Sequence, residues 1–192
     1  MRAIKEQRDY WEQRAATGSD LEAIGVSSDH PQFDETTFPG IDETTTIVDC
    51  AAGYGRRTIP LAQKSKAVVA LDASLAMLKR LKKHLRTQNG IQVYPLLGSI
   101  TNIPLRDRSV DIALCSGTIY YFPRRIRKVI LEECKRVATR SIIQYRNALN
   151  AYNLRQRLLG AKPIEYLTMP NRLTFKLLFW SDTSCEMVSK KR

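Results

Sequence analysis

The chain has 192 residues, 43% of them apolar, and 31 Lys and Arg against 19 Asp and Glu, for a net charge of +12. That length fits one domain with a core large enough to exclude disordered and fibrous classes, and no apolar run approaches the roughly 20 residues of a membrane span. Four scattered cysteines (Cys50, Cys115, Cys134, Cys185) and two histidines (His30, His84) match neither a disulfide framework nor a metal-ligand spacing, so no metal is expected. Charges run throughout the N-terminal stretch with no apolar centre, unlike a secretory signal, so an intracellular, cytoplasmic protein is expected. The charge is uneven: residues 1–119 balance to +1 and residues 120–192 to +11, beginning with Arg124, Arg125, Arg127 and Lys128. Such an excess suits either an acidic or phosphate-bearing partner or a solvated helix face with a basic tail.

In chain order, residues 4–16 carry Ile4, Tyr10, Trp11 and Ala15 as an apolar-aromatic stripe between alternating charges, which predicts an amphipathic helix. Asp20 to Glu43 is acidic and broken by Pro31, Pro39 and Gly40, a lid or loop. Thr45 to Cys50 is a β-branched strand that runs through a small-residue turn, residues 51–55, into a helix over 56–63. A second strand, Ala67 to Leu71, ends at Asp72, and Ser74 caps a helix with Leu75, Leu78, Leu81 and Leu85 on one face. Strands over 91–97 and 110–115 follow, then a basic amphipathic helix from Pro123 to Val137 and a fifth strand over 141–145. Strands alternating with helices predict right-handed crossovers in an α/β fold, with a Rossmann-like, doubly wound, mostly parallel sheet flanked by helices.

The turn after the first strand, Asp49-Cys50-Ala51-Ala52-Gly53-Tyr54-Gly55, lets the backbone approach a ligand closely and presents helix N–H groups. Asp72 stands at the carboxyl end of the adjacent strand, where a carboxylate accepts hydrogen bonds from ribose hydroxyls, so a nucleoside ligand is inferred. The loop lacks the third glycine of a dinucleotide cradle, which disfavours a nicotinamide oxidoreductase. Asp49 beside it repels a pyrophosphate but suits an ammonium group, its alternative role being a charge partner for the helix N-terminus.

Together these residues resemble the class I S-adenosylmethionine-dependent methyltransferases, of the small single-domain type, over residues 8–146. Ala51 stands at the first glycine position of that family's loop, and Asp72-Ala73-Ser74 matches its ribose acid and capped helix. Gly98-Ser99-Ile100 matches the adenine loop with Ser99 in place of the usual acid, and Asp111 matches the acid opening the fourth strand. Residues 10–15 resemble the helix that closes over the cofactor. The resemblance implies S-adenosyl-L-methionine as cofactor, S-adenosyl-L-homocysteine as product, and contacts from Arg14, Asp49, Ala51, Gly53, Gly55, Asp72, Ala73, Ser99, Ile100 and the Cys115 carbonyl. Arg14 serves either the methionine carboxylate or a surface ion pair, the Cys115 side chain reads as core, and His84 reads as solvated.

The segment after the fourth strand places Tyr120 and Tyr121 on the acceptor side, as catalytic candidates or as cofactor wall, and Arg146 and Asn147 follow the fifth strand as acceptor contacts or a helix cap. The expected function is methyl transfer to a small-molecule acceptor. An RNA acceptor held by the basic C-terminal half is the alternative, and a catalytically impaired cofactor-binding protein is a third reading. No membrane partner is expected. Residues 1–43 form the N-terminal helix and lid, and 44–192 the methyltransferase domain. A helix over 149–159, a strand or helix over 173–180 and a polar tail from Ser181 leave the family's C-terminal β-hairpin abbreviated or missing, with an exposed sheet edge.

Overall fold

The computed structural model describes residues 2–17, 40–146 and 183–190. Its elements are α1 (Arg2–Thr17), β1 (Thr46–Cys50), α2 (Thr58–Ala62), β2 (Ala67–Asp72), α3 (Leu75–Leu85), β3 (Val93–Leu97), β4 (Val110–Ser116), a 3-10 turn (Ile119–Tyr121), α4 (Arg124–Val137), β5 (Ala138–Arg146) and β6 (Thr183–Lys190). The strands form one sheet in the order β3-β2-β1-β4-β5-β6, in which β1 to β5 are parallel and β6 is antiparallel to β5. The chain order reverses between β1 and β4, so the carboxyl ends of these two strands flank the crevice where ligands bind in open α/β sheets.

Alternate residues of the central strands feed two separate apolar layers, as a pleat with a period of two requires. Ile47, Ile112, Leu114 and Ile142 pack with Leu61 and Ala62 of α2 on one face. Val48, Cys50, Ala113, Cys115 and Ile143 pack with Ile130, Cys134 and Val137 of α4 on the other. On α3, Leu78 and Leu81 cover Ala70 beside α2. Each such aliphatic side chain is worth about 1.5–3 kcal/mol when fully buried, so these layers outweigh the exposed ion pairs.

The crossover from β3 to β4 has no helix among the described residues; Ile100 and Ile103 are buried against the α4 layer instead. Arg136 fixes this segment. Its guanidinium donates to the carbonyls of Leu105 and Ile103 at 2.9 and 2.8 Å and to the Asp107 and Glu133 carboxylates, and Glu133 in turn accepts the Ile103 N–H at 2.7 Å. Glu133 is held below its ordinary pKa by Arg136, and Arg136 is raised by its two acids.

Two expectations about strands change. β5 starts three residues earlier than its apolar run, because α4 passes into it without a loop and Ala138 is already extended. The polar tail is not a tail: Thr183–Lys190 pairs antiparallel with β5, setting Ile142 against Val188 and Ile143 against Met187, so the edge of β5 is covered. A strand held by a backbone ladder to a distant partner leaves little local apolar signal. The elements expected over 149–159 and 173–180, most of the acidic lid, and Asn147 lie outside the described residues.

Candidate cofactor and acceptor site

The loop leaving β1 folds back on β2. The N–H groups of Ala51 and Ala52 both donate to the Leu71 carbonyl, at 2.9 and 3.0 Å. Ala51 takes φ +66°, left-handed backbone that favours glycine, so the residue at the family's first glycine position still adopts a glycine-like conformation. Gly55, at φ +95°, packs so closely on Leu81 and Ile59 that a Cβ would collide with Leu81. Gly53, at φ +57°, has nothing within 4 Å of its Cβ position, so the loop presents bare backbone there.

Asp72 closes β2 and is 8% exposed. One carboxylate oxygen accepts the Gly53 N–H at 2.8 Å and the other the Ser74 N–H at 2.8 Å, which joins the loop after β1 to the turn after β2. Burial raises its pKa, and the N–H groups of Ser74, Gly53 and Ala73 oppose the shift. Asp49 is deeper, at 2% exposure, and accepts the Thr58 hydroxyl at 2.7 Å. Desolvation pushes its pKa up to about 6 against the opposing Thr58 hydrogen bond and Arg57 charge. Thr58 opens α2, so this bond ties Asp49 to the first residue of that helix.

α1 crosses this rim and is held at two places. Glu12 accepts the Ser74 hydroxyl at 2.5 Å and the Ala76 N–H at 3.2 Å, completing the α3 cap, while Ser74 Oγ accepts the Met77 N–H at 3.1 Å. Trp11 meets Tyr121 edge to face at 5.9 Å between centroids, and Tyr120 lies 4.6 Å from Tyr121. The Arg14 guanidinium donates to Tyr10 Oη at 2.7 Å and lies 5.8 Å from the Trp11 ring centroid. Between α1 and the strand ends lies a cleft of about 770 Å³ lined by Arg2, Ile4, Lys5, Arg8 and, opposite them, Ala73 and Leu97 to Ser99.

The structure thus gathers Asp49, Ala51, Gly53, Gly55, Asp72 and Ala73 on the two turns, with Ser99 joining Ala73 in the cleft. It sets Arg14 in an aromatic group on α1, and Tyr121 against Trp11 of the same helix. The Ser99 hydroxyl is shared with Thr101 in its own turn, and the Ile100 side chain is core. Cys115 is fully buried beside Cys50 and Cys134, with its thiol pKa raised by burial, as the core reading expects. Arg146 is the last residue of β5.

His84 departs from expectation. Its Nδ1 lies 3.0 Å from the Tyr54 carbonyl and its ring meets Tyr54 edge to face, so it props the loop from below rather than being solvated. Asp111 serves the start of the strands, accepting the Thr46 N–H and hydroxyl at 2.8 and 2.6 Å. Glu12 and Trp11 carry no distinct role in the sequence. One signal bears on Glu12: the first turn of α3 has no acid of its own, so the Ala76 N–H there is left for an acceptor on another element.

A family model described as a methyltransferase domain matches residues 47–141. An uncharacterized methyltransferase of Schizosaccharomyces pombe is 35% identical over 83 residues, covering 43% of this chain and 31% of that protein, so the chain spans about a third of that relative's length. Among solved structures, a phosphoethanolamine N-methyltransferase of Haemonchus contortus, in complex with phosphoethanolamine and S-adenosylhomocysteine, superposes with a TM-score of 0.59 at 16% identity. That match covers 76% of this chain and 32% of the other. An S-adenosylmethionine-dependent methyltransferase of Aquifex aeolicus gives a TM-score of 0.50 at 24% identity, covering 56% and 60%.

Proposed function

The chain belongs, through residues 47–141, to the class I S-adenosylmethionine-dependent methyltransferase family, and on that premise we propose that it transfers a methyl group from S-adenosylmethionine to a small-molecule acceptor. The observation that carries the cofactor part is Asp72. Its buried carboxylate is fixed by the Gly53 N–H on one oxygen and the Ser74 N–H on the other, and a carboxylate so held has further acceptor capacity for ribose hydroxyls. The site fits the cofactor in two further respects: the backbone at Gly53 is bare, and the cleft beside Ala73 and Ser99 is large enough for an adenine ring.

When bound, the cofactor supplies an electrophilic methyl group on a sulfonium. Asp72 would hold the ribose, Ala73 and Ser99 would flank the adenine, and Asp49 would face the methionine ammonium in its ionised form. Arg14 would answer the methionine carboxylate from α1. Tyr120 and Tyr121, just beyond β4, would form the wall on the acceptor side, with Arg146 and Asn147 following β5. Loss of the sulfonium charge during transfer is favoured where water is excluded, so these residues contribute mainly alignment and desolvation, and alignment alone can supply roughly 7–11 kcal/mol.

An RNA acceptor is the second reading, supported by the +11 of residues 120–192. Part of that charge on α4 is engaged internally: Arg127 is buried and donates to the Phe122 carbonyl at 2.6 Å, Lys135 pairs with Glu132, and Arg136 clamps the β3–β4 segment. This tips the reading to a small molecule. The test is release of S-adenosylhomocysteine from S-adenosylmethionine with panels of small amines, thiols and phenols, and with bulk tRNA. Turnover with a small acceptor upholds the proposal, turnover with RNA alone moves it to the second reading, and none with either leaves the cofactor-binding reading.

A further inference from the structure

The +1 balance of residues 1–119 hides a strongly basic block. Residues 1–49 carry a charge of −7 and residues 50–106 a charge of +9, and the single acid of the latter is the buried Asp72. On α3, Lys79, Lys82 and Lys83 are exposed, as is Arg86 at its C-cap. Their spacing places them on one side of the helix along about 10.5 Å of its axis.

Some cations of the neighbouring helices are paired with an acid of their own helix, whereas Arg124, Arg125 and Lys128 of α4 are exposed like those of α3 and serve as its comparison. On α1, Arg2 pairs with Glu6 at 2.7 Å and Arg8 with Asp9 at 2.8 Å, and on α4 Lys135 pairs with Glu132 at 3.1 Å. Among the described residues no carboxylate pairs with Lys79, Lys82, Lys83 or Arg86. The helix dipole favours cations in the last turn, which accounts for Lys82 and Lys83 but not for Lys79 or for a block of this length without an exposed acid.

We propose that the outer face of α3 binds a nucleic acid through its phosphodiester backbone. Repulsion among closely spaced like charges is relieved by a polyanion, which also releases its condensed counterions. A membrane surface fits less well, because the apolar side of α3, with Met77, Leu78 and Leu81, is spent in the core. A protein partner fits less well too, since lysines are depleted and aromatic anchors enriched at such interfaces, and this face offers no aromatic side chain. The cations occupy the part of α3 running away from Ser74 and the cofactor rim, so this contact goes beyond the acceptor reading: it holds the enzyme on nucleic acid rather than presenting a base to the cleft.

The test is fluorescence anisotropy of the full chain with a labelled oligouridylate of about 20 nucleotides, titrated across about 50–200 mM salt. Two triple charge reversals are compared: Lys79→Glu, Lys82→Glu, Lys83→Glu on α3, and Arg124→Glu, Arg125→Glu, Lys128→Glu on α4. The α3 variant is expected to bind at least about tenfold more weakly and to lower the salt slope by about 2, with the α4 variant changing far less. Single-stranded DNA is expected to bind alike. The proposal is overturned if the wild type does not bind at the lowest salt, if the two variants lose affinity equally, or if phosphatidylserine vesicles bind and the oligonucleotide does not. S-adenosylhomocysteine binding, measured in parallel, reports the fold and the methyltransferase reading separately. If the reversals fail to fold, the Lys→Gln triple on α3 is read against the same criteria.

Discussion

Glu12 of α1 accepts a 2.5 Å hydrogen bond from the hydroxyl of Ser74, the residue that caps α3, although 62 positions separate them in the chain. Ser74 also donates its N–H to Asp72, so one serine connects the covering helix to the carboxylate proposed to hold the cofactor ribose. The negative charge of Glu12 adds to the upward pKa shift of Asp72. Seating of α1 and the shape of the turn after β2 are therefore linked through an N-cap.

Replacing Glu12 tests that linkage. Glu12→Ala leaves the Ala76 N–H without its partner and is expected to cost about 1 kcal/mol of stability, the usual scale for a lost cap, measured by urea unfolding. It is also expected to raise the KM for S-adenosylmethionine several-fold with a smaller change in kcat, and Glu12→Gln should recover most of the loss. Equal effects of Ala and Gln would show that the charge matters rather than the cap.

Asp49 predicts a pH dependence. Its pKa in the folded protein is about 6, against an ordinary value of 3.8, so between these pH values the folded state holds a proton that the unfolded state has lost. This contribution to stability is greatest below pH 3.8, falls as pH rises through about 6, and leaves a burial cost of about 3 kcal/mol above that. A ligand ammonium would favour the ionised carboxylate. Cofactor affinity is accordingly expected to fall up to about tenfold per pH unit below about 6. In calorimetry, Asp49→Asn should flatten that profile and weaken binding near neutral pH while stabilising the ligand-free protein in thermal unfolding. An unchanged profile would remove Asp49 from the site.

Arg136 predicts a stability effect distant from chemistry. Arg136→Ala strips two backbone carbonyls and two carboxylates of their donor, with an expected loss of about 2 kcal/mol in urea unfolding. Arg136→Lys is expected to recover little, because an ammonium cannot reproduce the fork that reaches Leu105, Ile103 and Glu133 together. A Lys variant as stable as wild type would show that the guanidinium geometry is incidental.

Much of the half that carries the turns after β1 and β2 was legible because its signals are local. β-branched runs ending in Asp49 and Asp72, the 51–55 turn and the Ser74 cap each occupy a few consecutive residues, and all fall where the sequence placed them. Contacts between distant residues gave no such signal. Glu12 reaches Ser74, His84 reaches the Tyr54 carbonyl, and Arg136 reaches the crossover before β4, none of which a local period reveals. β6 escaped for the same reason, as its order comes from pairing with β5 rather than from its own composition. Charge counted over long halves also misled, since the near-neutral sum over residues 1–119 masked the basic outer face of α3.

The central claim is that Asp72 and the turns around it form an S-adenosylmethionine site. Titration calorimetry with S-adenosylhomocysteine on the wild type and on Asp72→Ala tests it most directly. The account predicts one site per chain in the wild type, a loss of at least about 100-fold in Asp72→Ala, equivalent to about 3 kcal/mol for hydrogen bonds to a buried carboxylate, and no binding of NAD. Equal affinity of the two proteins for S-adenosylhomocysteine, or binding of NAD without S-adenosylhomocysteine, would contradict it.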